Sequence, residues 1–184
     1  AVAAMTGAEL ARLDARSIFP QWPEPASVPT LAEVLDVIAG VESMELEIKT
    51  DRPDRLRRVA ERVLAAIAQY GIADRVTVTS FDPVALEAVA RLAPEQRLGF
   101  IAKFETTDDL ATAVRLGARR CAIPIKTGTQ ARVQEAHAAG MDVTGWQGNT
   151  REAIETLLDW GVDCITSDYP SLARAVLSEV RALS

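Results

Sequence analysis

The sequence alternates six times between a short apolar segment with strand-like patterning and a longer segment whose apolar residues recur at helical spacing. The strand-like segments follow one another at intervals of roughly 20–30 residues. A regular strand–helix alternation predicts a parallel sheet covered by helices, because parallel neighbours need a crossover connection. We therefore expect an α/β protein in which residues 1–184 form a single domain.

The boundaries of the predicted elements follow from caps, prolines and glycines. The first part of the chain shows a capping box at Thr6, a proline-rich loop and a helix that runs from Thr30 to Gly40. The predicted strands are 44–49, 75–81, 97–102, 121–125, 142–146 and 161–168. The helices between them are expected at about 53–70, 83–92, 107–116, 129–139 and 150–160, and Pro170 opens the last helix.

Both a doubly wound sheet and a (β/α)₈ TIM barrel satisfy this alternation. A dinucleotide-binding sheet usually shows a glycine-rich turn after its first strand, and no GxGxxG motif occurs here. Polar or aromatic residues end most of the predicted strands, which favours a barrel, where the site is assembled at that end. A TIM barrel has eight strands in about 250 residues. We therefore expect strands 3–8 of a barrel here, with the two N-terminal βα units absent from this chain.

The composition excludes several classes of protein. The formal net charge is −6 and the sequence pI is about 4.9, which argues against a nucleic-acid interface. No apolar run approaches the roughly 20 residues of a membrane span, and the N-terminus lacks the basic region of a signal peptide. We expect a cytoplasmic protein, with a secreted or periplasmic location left open because an upstream segment could be missing. Cys121 and Cys164 are predicted to be reduced thiols in the core.

The predicted first strand carries Glu47 and Lys49, two residues apart. Side chains alternate between the faces of a strand, so this carboxylate and this ammonium should project from the same face. Charges inside a strand are costly unless they are paired or bind a ligand. The sequence alone leaves open a structural ion pair, the solvated face of an edge strand, or a functional site.

Several segments resemble the glycerophosphodiester phosphodiesterase family in order along the chain. Residues 28–35 are similar to that family's "iPTLeEvL", residues 46–49 to "IEiK", and residues 79–82 to "sSFd". Residues 146–149 fall where the family has "WTVN", residues 161–170 resemble "GVDgIiTDyP", and residues 5–14 resemble "lTlaELkaLDa". Each motif is weak alone, but six in sequence cover nearly the whole chain.

The resemblance implies a (β/α)₈ barrel that hydrolyses a glycerophosphodiester to glycerol 3-phosphate and an alcohol with a divalent cation, Ca²⁺ or Mg²⁺. It implies that Glu47 is a metal ligand and that Lys49 contacts the phosphate. Hard cations take carboxylate oxygens, and positive charge stabilises a phosphodiester and its transition state. The expected pocket residues are Trp146, Phe81, Ser80 and Asn149.

Alternative roles exist for some of these residues. Trp146 could pack in the core, and Ser80 and Phe81 would shape the pocket floor without taking part in chemistry. Asn149 and Asp168 are interpreted, by preference, as helix caps.

The departures from the family pattern are as informative as the matches. The family's "HRG", "E-x-D" and "HD" motifs, which supply its catalytic histidines and further metal ligands, are all absent. The single histidine, His137, lies outside every family motif and is expected on the surface or in packing. The chain alone is therefore expected to be inactive, since general acid–base groups typically contribute 10²–10⁴-fold each.

Three hypotheses remain at this point. The first is a metal-dependent phosphodiesterase that requires N-terminal residues outside this chain. The second is a catalytically silent, truncated barrel that acts as a binding module or closes its edges as a homo-oligomer. The third is another α/β-barrel enzyme, such as a phospholipase D-like relative. In-frame "HRG" and "HD" codons upstream of Ala1 would favour the first hypothesis over the second.

Overall fold

The computed structural model describes residues 2–18, 21–49, 52–104 and 108–183, and all structural statements below concern these residues. The strands are β1 Met44–Glu47, β2 Val76–Ser80, β3 Arg97–Ile101, β4 Arg120–Pro124, β5 Asp142–Trp146 and β6 Cys164–Thr166. The helices are α1 Gly7–Leu10, α2 Leu31–Ile38, α3 Leu56–Tyr70, α4 Pro83–Leu92, α5 Asp109–Arg115, α6 Gln130–Ala138, α7 Arg151–Trp160 and α8 Pro170–Leu183. Short 3₁₀ turns occupy Val2–Ala4, Ala15–Ile18 and Pro53–Arg55.

All six strands belong to one parallel sheet in the order β1-β2-β3-β4-β5-β6. Each strand pairs with its sequence neighbour, so the strand order never reverses as it does in a doubly wound sheet. The sheet curls strongly, as shown by the contacts of Glu45 on β1 with side chains of β4 and β5. The prediction of an α/β fold with barrel-like curvature is confirmed. The expectation that two N-terminal βα units are absent stays a prediction.

Local capping explains where several helices begin and end. Thr6 with Glu9, and Thr30 with Glu33, form the two capping boxes at the starts of α1 and α2. Thr129 and Thr150 accept hydrogen bonds from the first turns of α6 and α7. The sequence placed the start of α5 at Thr107, which lies outside the described residues; the described helix begins at Asp109.

Four predicted strands are shorter than expected, and the difference is largest for the first and the last. The first ends at Glu47, although Ile48 N still donates to Thr79 O of β2 at 2.8 Å, so Lys49 lies just beyond the ladder. The last begins at Cys164, because Gly161 terminates α7 in the left-handed region at φ 80°. The C-terminal ends of these two strands therefore lie two residues earlier than the sequence predicted, at Glu47 and Thr166.

The main hydrophobic core lies between the sheet and its covering helices. Its fully buried large side chains include Ile67, Ile72, Leu86, Ile123 and Val143. Cys121 belongs to this core, as predicted, but Cys164 is exposed and lines the concave face of the sheet. The prediction of a second core thiol at Cys164 is therefore wrong: β6 is an edge strand, and Cys164 points away from the helices. Every helix in the described part of the chain is too short or too polar to span a lipid bilayer.

Candidate active site

A cavity of about 760 Å³ runs along the concave face of the sheet. This volume is in the range of small-molecule sites. Side chains at every second strand position line this cavity. They include Glu45 and Glu47 on β1, Thr79 on β2, and Thr144 and Trp146 on β5. Parallel pairing keeps these positions on one face, because Glu47 lies beside Thr79 and Trp146 beside Thr166. We call this space the lumen cavity.

The lower part of the lumen cavity holds a polar network that sequence reasoning missed. Glu45 Oε1 accepts hydrogen bonds from Arg120 Nη1 at 3.1 Å and from Thr144 Oγ1 at 2.8 Å. The Glu45 and Arg120 side chains are 24% and 16% exposed. Burial lowers the pKa of Arg120, but the bond and charge of Glu45 outweigh burial and raise it. The sequence contains one signal for this network. Glu45 lies two residues before Glu47, so its side chain shares the strand face of Glu47 and Lys49.

The mouth of the lumen cavity carries the Glu47–Lys49 pair. Lys49 Nζ lies 2.7 Å from Glu47 Oε2, and both side chains line the cavity, which confirms that they share a face. The Lys49 side chain is 80% exposed and that of Glu47 is 28% exposed. An ion pair this accessible contributes at most about 1 kcal/mol to stability. The contribution of this ion pair to the stability of the fold is therefore too small to explain the position of these two charges.

An aromatic corner lines the same lumen as the charged pair. The Phe81 and Trp146 rings meet edge to face, with centroids 5.8 Å apart and planes at 86°. Both rings line the lumen cavity and also a neighbouring cavity of about 340 Å³. Trp146 Nε1 is buried with no hydrogen-bond partner among the described residues, which is an exception among buried polar groups. Trp146 therefore lines the lumen cavity and is not part of the core between sheet and helices.

Ser80 does not line the lumen cavity but a separate cavity beside Glu47, Lys49 and Phe81, and its role as a pocket residue stays a prediction. Its side chain leaves β2 on the side opposite to Thr79 and Phe81, as the alternation along a strand requires. It is buried, donates to Ile48 O at 2.7 Å and accepts from Asp82 N at 3.0 Å. Ser80 therefore fixes the chain at the ends of β1 and β2.

Asn149 is neither a helix cap nor a residue of the lumen wall. Its Nδ2 donates to Asp168 Oδ2 at 2.7 Å and its Oδ1 accepts from Asp168 N at 2.9 Å. Thr150 caps α7 instead, because its hydroxyl accepts from Ala153 N. The preferred interpretation of Asn149 as a helix cap is therefore wrong, and that of Asp168 stays a prediction. Asn149 orients the Asp168 carboxylate, which does line the lumen cavity.

The described residues do not by themselves make a cation site. No group of three His, Cys, Asp or Glu side chains in this part of the structure is placed to hold a metal ion. Calcium needs six to eight oxygen ligands, and magnesium an octahedral shell. Glu47 is one carboxylate at the cavity mouth, and Asp168 is held by Asn149. These donors fit one part of a cation shell and no more.

His137 lies away from the lumen cavity. Its Nε2 is 2.8 Å from Asp163 Oδ2, and the same carboxylate oxygen accepts from Val143 N at the beginning of β5. This contact is at the N-terminal end of the strands, opposite to Glu47 and Lys49. The expectation of a surface or packing histidine agrees with this position.

The family described as "Glycerophosphoryl diester phosphodiesterase family" matches residues 1–172. Proteins named glycerophosphodiester phosphodiesterase from Caldanaerobacter subterraneus and Bacillus subtilis are 25% and 27% identical, over 88% and 93% of this chain. A solved structure of a putative glycerophosphoryl diester phosphodiesterase from Silicibacter pomeroyi has a TM-score of 0.81 at 26% identity, over 96% of this chain. A phosphodiesterase from Oleispira antarctica in complex with the product sn-glycerol-3-phosphate has a TM-score of 0.84 at 22% identity, over 96% of this chain.

The chain spans about two thirds of the length of these relatives. It covers 67% and 64% of the two sequences, and 69% and 72% of the two solved structures. The fold likeness therefore includes the curled sheet and its helices, while part of each relative has no counterpart in this chain.

Proposed function

The chain belongs to the glycerophosphoryl diester phosphodiesterase family, and from that premise we propose that its lumen cavity serves the hydrolysis of a glycerophosphodiester to glycerol 3-phosphate and an alcohol. The observation that carries this proposal is the position of Lys49. Its ammonium stands at the open mouth of the cavity, beside Glu47 and on the same face as Trp146 and Phe81.

Lys49 is suited to bind the phosphodiester group. Its only partner among the described residues is Glu47, and its side chain is largely accessible. A positive charge that faces a phosphodiester stabilises the negative charge that the transition state spreads over the phosphate oxygens. Lys49 would hold the phosphate at the mouth, next to the deeper space that receives the rest of the substrate.

Phe81 and Trp146 give the substrate its orientation. Their rings form an apolar wall against which the carbon skeleton of glycerol or of the alcohol can lie. The unpartnered Nε1 of Trp146 would donate a hydrogen bond to an oxygen of the substrate. These two contacts would place the phosphate beside Lys49 and restrict how the substrate enters.

A divalent cation, Ca²⁺ or Mg²⁺, is part of this proposal. When bound, it would neutralise charge on the phosphate. Glu47 would supply one of its oxygen ligands, and the remaining ligands would come from groups beyond the described residues. The described chain itself would bind the phosphate, orient the substrate and exclude water from the aromatic side of the site.

The chain alone is proposed to be inactive, because it contains one histidine and that residue is remote from the cavity. The test is the release of glycerol 3-phosphate from glycerophosphocholine and glycerophosphoethanolamine by the purified chain, with Ca²⁺ or Mg²⁺ and with a Glu47→Ala control. We expect no turnover above the control. Metal-dependent turnover that Glu47→Ala abolishes would show that the chain already holds a complete catalytic set.

Binding tests the function itself, independently of turnover. Glycerophosphocholine should bind the purified chain, and Lys49→Met should weaken that binding about tenfold, measured by calorimetry. Arg91→Met is the matched control, since Arg91 pairs with Glu87 on α4 and is remote from the cavity. Equal affinities for the wild type and Lys49→Met would contradict the role of Lys49.

A second candidate function rests on the sheet edges. Within the described residues, β1 pairs only with β2 and β6 only with β5. Unpaired edges are places where another chain can add a strand. A catalytically silent barrel that closes its edges by oligomerising is therefore the alternative, and sedimentation of the purified chain tests it. A monomer that binds glycerophosphodiesters would exclude this alternative.

A further inference from the structure

The three lysines of this chain occupy one kind of position. The sequence holds 20 lysines and arginines together, and only Lys49, Lys103 and Lys126 are lysines. Each lies two residues after the end of a strand: β1 ends at residue 47, β3 at 101 and β4 at 124. The carboxyl ends of parallel strands meet at one rim, so all three ammonium groups belong to the same end of the sheet. The other 17 of these 20 residues are arginines.

Lys103 and Lys126 line the cavity of about 340 Å³ next to the lumen cavity, which we call the rim cavity. The two cavities share Phe81, Trp146 and Gln147. No acidic side chain lines the rim cavity among the described residues, whereas the lumen cavity mixes acidic and basic groups. The rim cavity is thus a positively charged space in a protein whose formal net charge is −6.

The segment that carries Lys103 is firmly held. The backbone N–H groups of Lys103 and Phe104 both donate to Asp109 Oδ2, at 3.1 Å and 2.5 Å. Phe104 adopts φ 52°, a region that is rare for a residue with a side chain, and its buried ring lies 4.6 Å from the Arg132 guanidinium. A strained conformation persists where its surroundings over-determine it, and such positions cluster at functional sites.

The segment that carries Lys126 is tied to the same place. Thr127 Oγ1 donates to Lys103 O, which joins the two lysine-bearing loops directly. Ile125 N donates to Trp146 O at 2.6 Å, and Gly128 N donates to Pro124 O at 2.7 Å. The backbone below both lysines is therefore fixed relative to the aromatic corner, and only the two flexible side chains remain to be ordered by a ligand.

Neither lysine of the rim cavity has an acidic partner among the described residues. Lys49 has Glu47 at 2.7 Å, but Lys103 and Lys126 form no ion pair with a carboxylate in the described part of the chain. A unit charge attracts an opposite charge 4 Å away by about 1 kcal/mol in water, which corresponds to about fivefold in affinity. Two such lysines favour an anion and disfavour a cation by the same physics.

We infer that the rim cavity binds an acidic group, phosphate or carboxylate, on the alcohol moiety of the glycerophosphodiester. This inference rests on the proposed function, because it takes Lys49 as the contact of the phosphodiester itself. The alcohol passes the corner of Phe81 and Trp146, and its acidic group lies between Lys103 and Lys126. Diesters with an acidic alcohol are then preferred over those with a neutral or cationic one.

The small number of lysines makes a direct test possible. Reductive methylation with ¹³C-formaldehyde converts Lys49, Lys103 and Lys126 to dimethyl-lysines that keep their charge, and each gives its own NMR signal. Variants in which one lysine is replaced by Met assign the three signals. The probes are glycerophosphoinositol and glycerophosphoinositol 4-phosphate, which differ only by an acidic group on the alcohol. Glycerophosphocholine and inorganic phosphate are tested as two further ligands.

The expected result has three parts. Both inositol diesters shift the Lys49 signal, but glycerophosphoinositol 4-phosphate alone shifts those of Lys103 and Lys126 and binds at least fivefold more tightly. The double variant Lys103→Met/Lys126→Met loses this preference and keeps its affinity for glycerophosphoinositol. Arg91→Met, which removes a positive charge outside both cavities, changes neither affinity.

Three results would overturn the inference. They are equal affinity for the two inositol diesters, a preference that survives in the double variant, and no shift at Lys103 or Lys126 at millimolar ligand. Inorganic phosphate that shifts Lys103 and Lys126 as strongly as the acidic diester would also overturn it, because the site would then take a free anion. If Lys49 responds to no diester while Lys103 and Lys126 respond to the acidic one, the proposed function fails and the anion site remains.

Discussion

Thr144 Oγ1 on β5 donates a hydrogen bond of 2.8 Å to Glu45 Oε1 on β1, although 99 residues separate them in sequence. The same carboxylate oxygen accepts from Arg120 on β4. An edge strand therefore reaches across the concave face to the fifth strand. This polar network lines the lower lumen, and Glu47 and Trp146 line the same cavity farther along their strands.

The first prediction concerns the stability of this network. Glu45→Gln removes the charge that pairs with Arg120, and Arg120 keeps only Asp142, at 3.6 Å, as a carboxylate partner. We expect the free energy of unfolding to fall by about 2 kcal/mol, since loss of one partner leaves a largely buried charge uncompensated. Thr144→Val should lower it by about 1 kcal/mol. Urea denaturation followed by circular dichroism measures both.

Glu95→Gln is the control for this prediction, because Glu95 is exposed and should change stability by less than about 0.5 kcal/mol. A loss for Glu45→Gln no larger than for the control would show that the network contributes nothing to folding.

The second prediction separates Ser80 from the substrate. Ser80→Ala removes the buried hydrogen bond to Ile48 O, so we expect the free energy of unfolding to fall by about 1–2 kcal/mol. The affinity for glycerophosphocholine should stay within twofold of the wild type. Phe81→Leu should show the opposite pattern, with weakened binding and nearly unchanged stability, because Phe81 is exposed at the cavity. Denaturation and calorimetry on both variants test this prediction. If Ser80→Ala is as stable as the wild type but binds glycerophosphocholine more weakly, Ser80 contributes to substrate binding.

The third prediction distinguishes Glu47 from Lys49 in a preparation of the protein that hydrolyses glycerophosphocholine. Glu47→Gln removes one charged cation ligand, so added Ca²⁺ or Mg²⁺ should restore part of the activity by mass action. Lys49→Met removes the positive charge that faces the phosphate, and metal should not replace it. Each substitution should lower the rate at least tenfold, about 1.4 kcal/mol of barrier.

A titration of metal against rate for the two variants makes the comparison. Equal rescue of Lys49→Met and Glu47→Gln would contradict these separate roles. Rates within tenfold of the wild type for both would leave the pair as a surface ion pair.

The fourth prediction concerns the two thiols. Burial, and Asp109 to a smaller extent, raise the pKa of Cys121 to about 12. Although Cys164 is exposed on the concave face, neighbouring atoms partly desolvate its thiol, and this desolvation and the Glu45 carboxylate raise the pKa of Cys164 above its ordinary 9.0. Because a raised pKa reduces the reactive thiolate at neutral pH, Cys164 should react slowly with Ellman's reagent at pH 7 and faster up to and beyond pH 9.

In the folded chain only Cys164 should react, and both thiols should react in guanidinium chloride. The Cys164→Ser variant should show no reaction until it unfolds. A fast reaction of Cys121 in the native chain would show that the core around β4 is open.

The features that the sequence predicted well are local ones. The alternation of strands and helices, the capping boxes at Thr6 and Thr30, and the shared face of Glu47 and Lys49 depend on residues a few positions apart. Local alternation also separates two of the predicted pocket residues. Ser80 and Phe81 are adjacent, so both could not face the same side of the sheet.

The features that the sequence did not predict depend on contacts between distant strands. Arg120 is 75 residues from Glu45, and Asn149 holds Asp168 from the end of a neighbouring strand. No periodicity or cap signal marks such a pair, because each partner alone has the pattern of an ordinary polar residue. Only the curvature of the sheet brings them together.

The consecutive strand order has a further consequence for how the chain acquires its structure. Each new strand pairs with the strand just before it, so each addition closes a short loop and loses little chain entropy. The sheet can therefore grow stepwise from β1 as the chain leaves the ribosome, much as repeat proteins add one unit to the next. The bond between Glu45 and Thr144 must wait until β5 has been synthesised, which makes the polar floor of the lumen one of the last parts of the molecule to assemble.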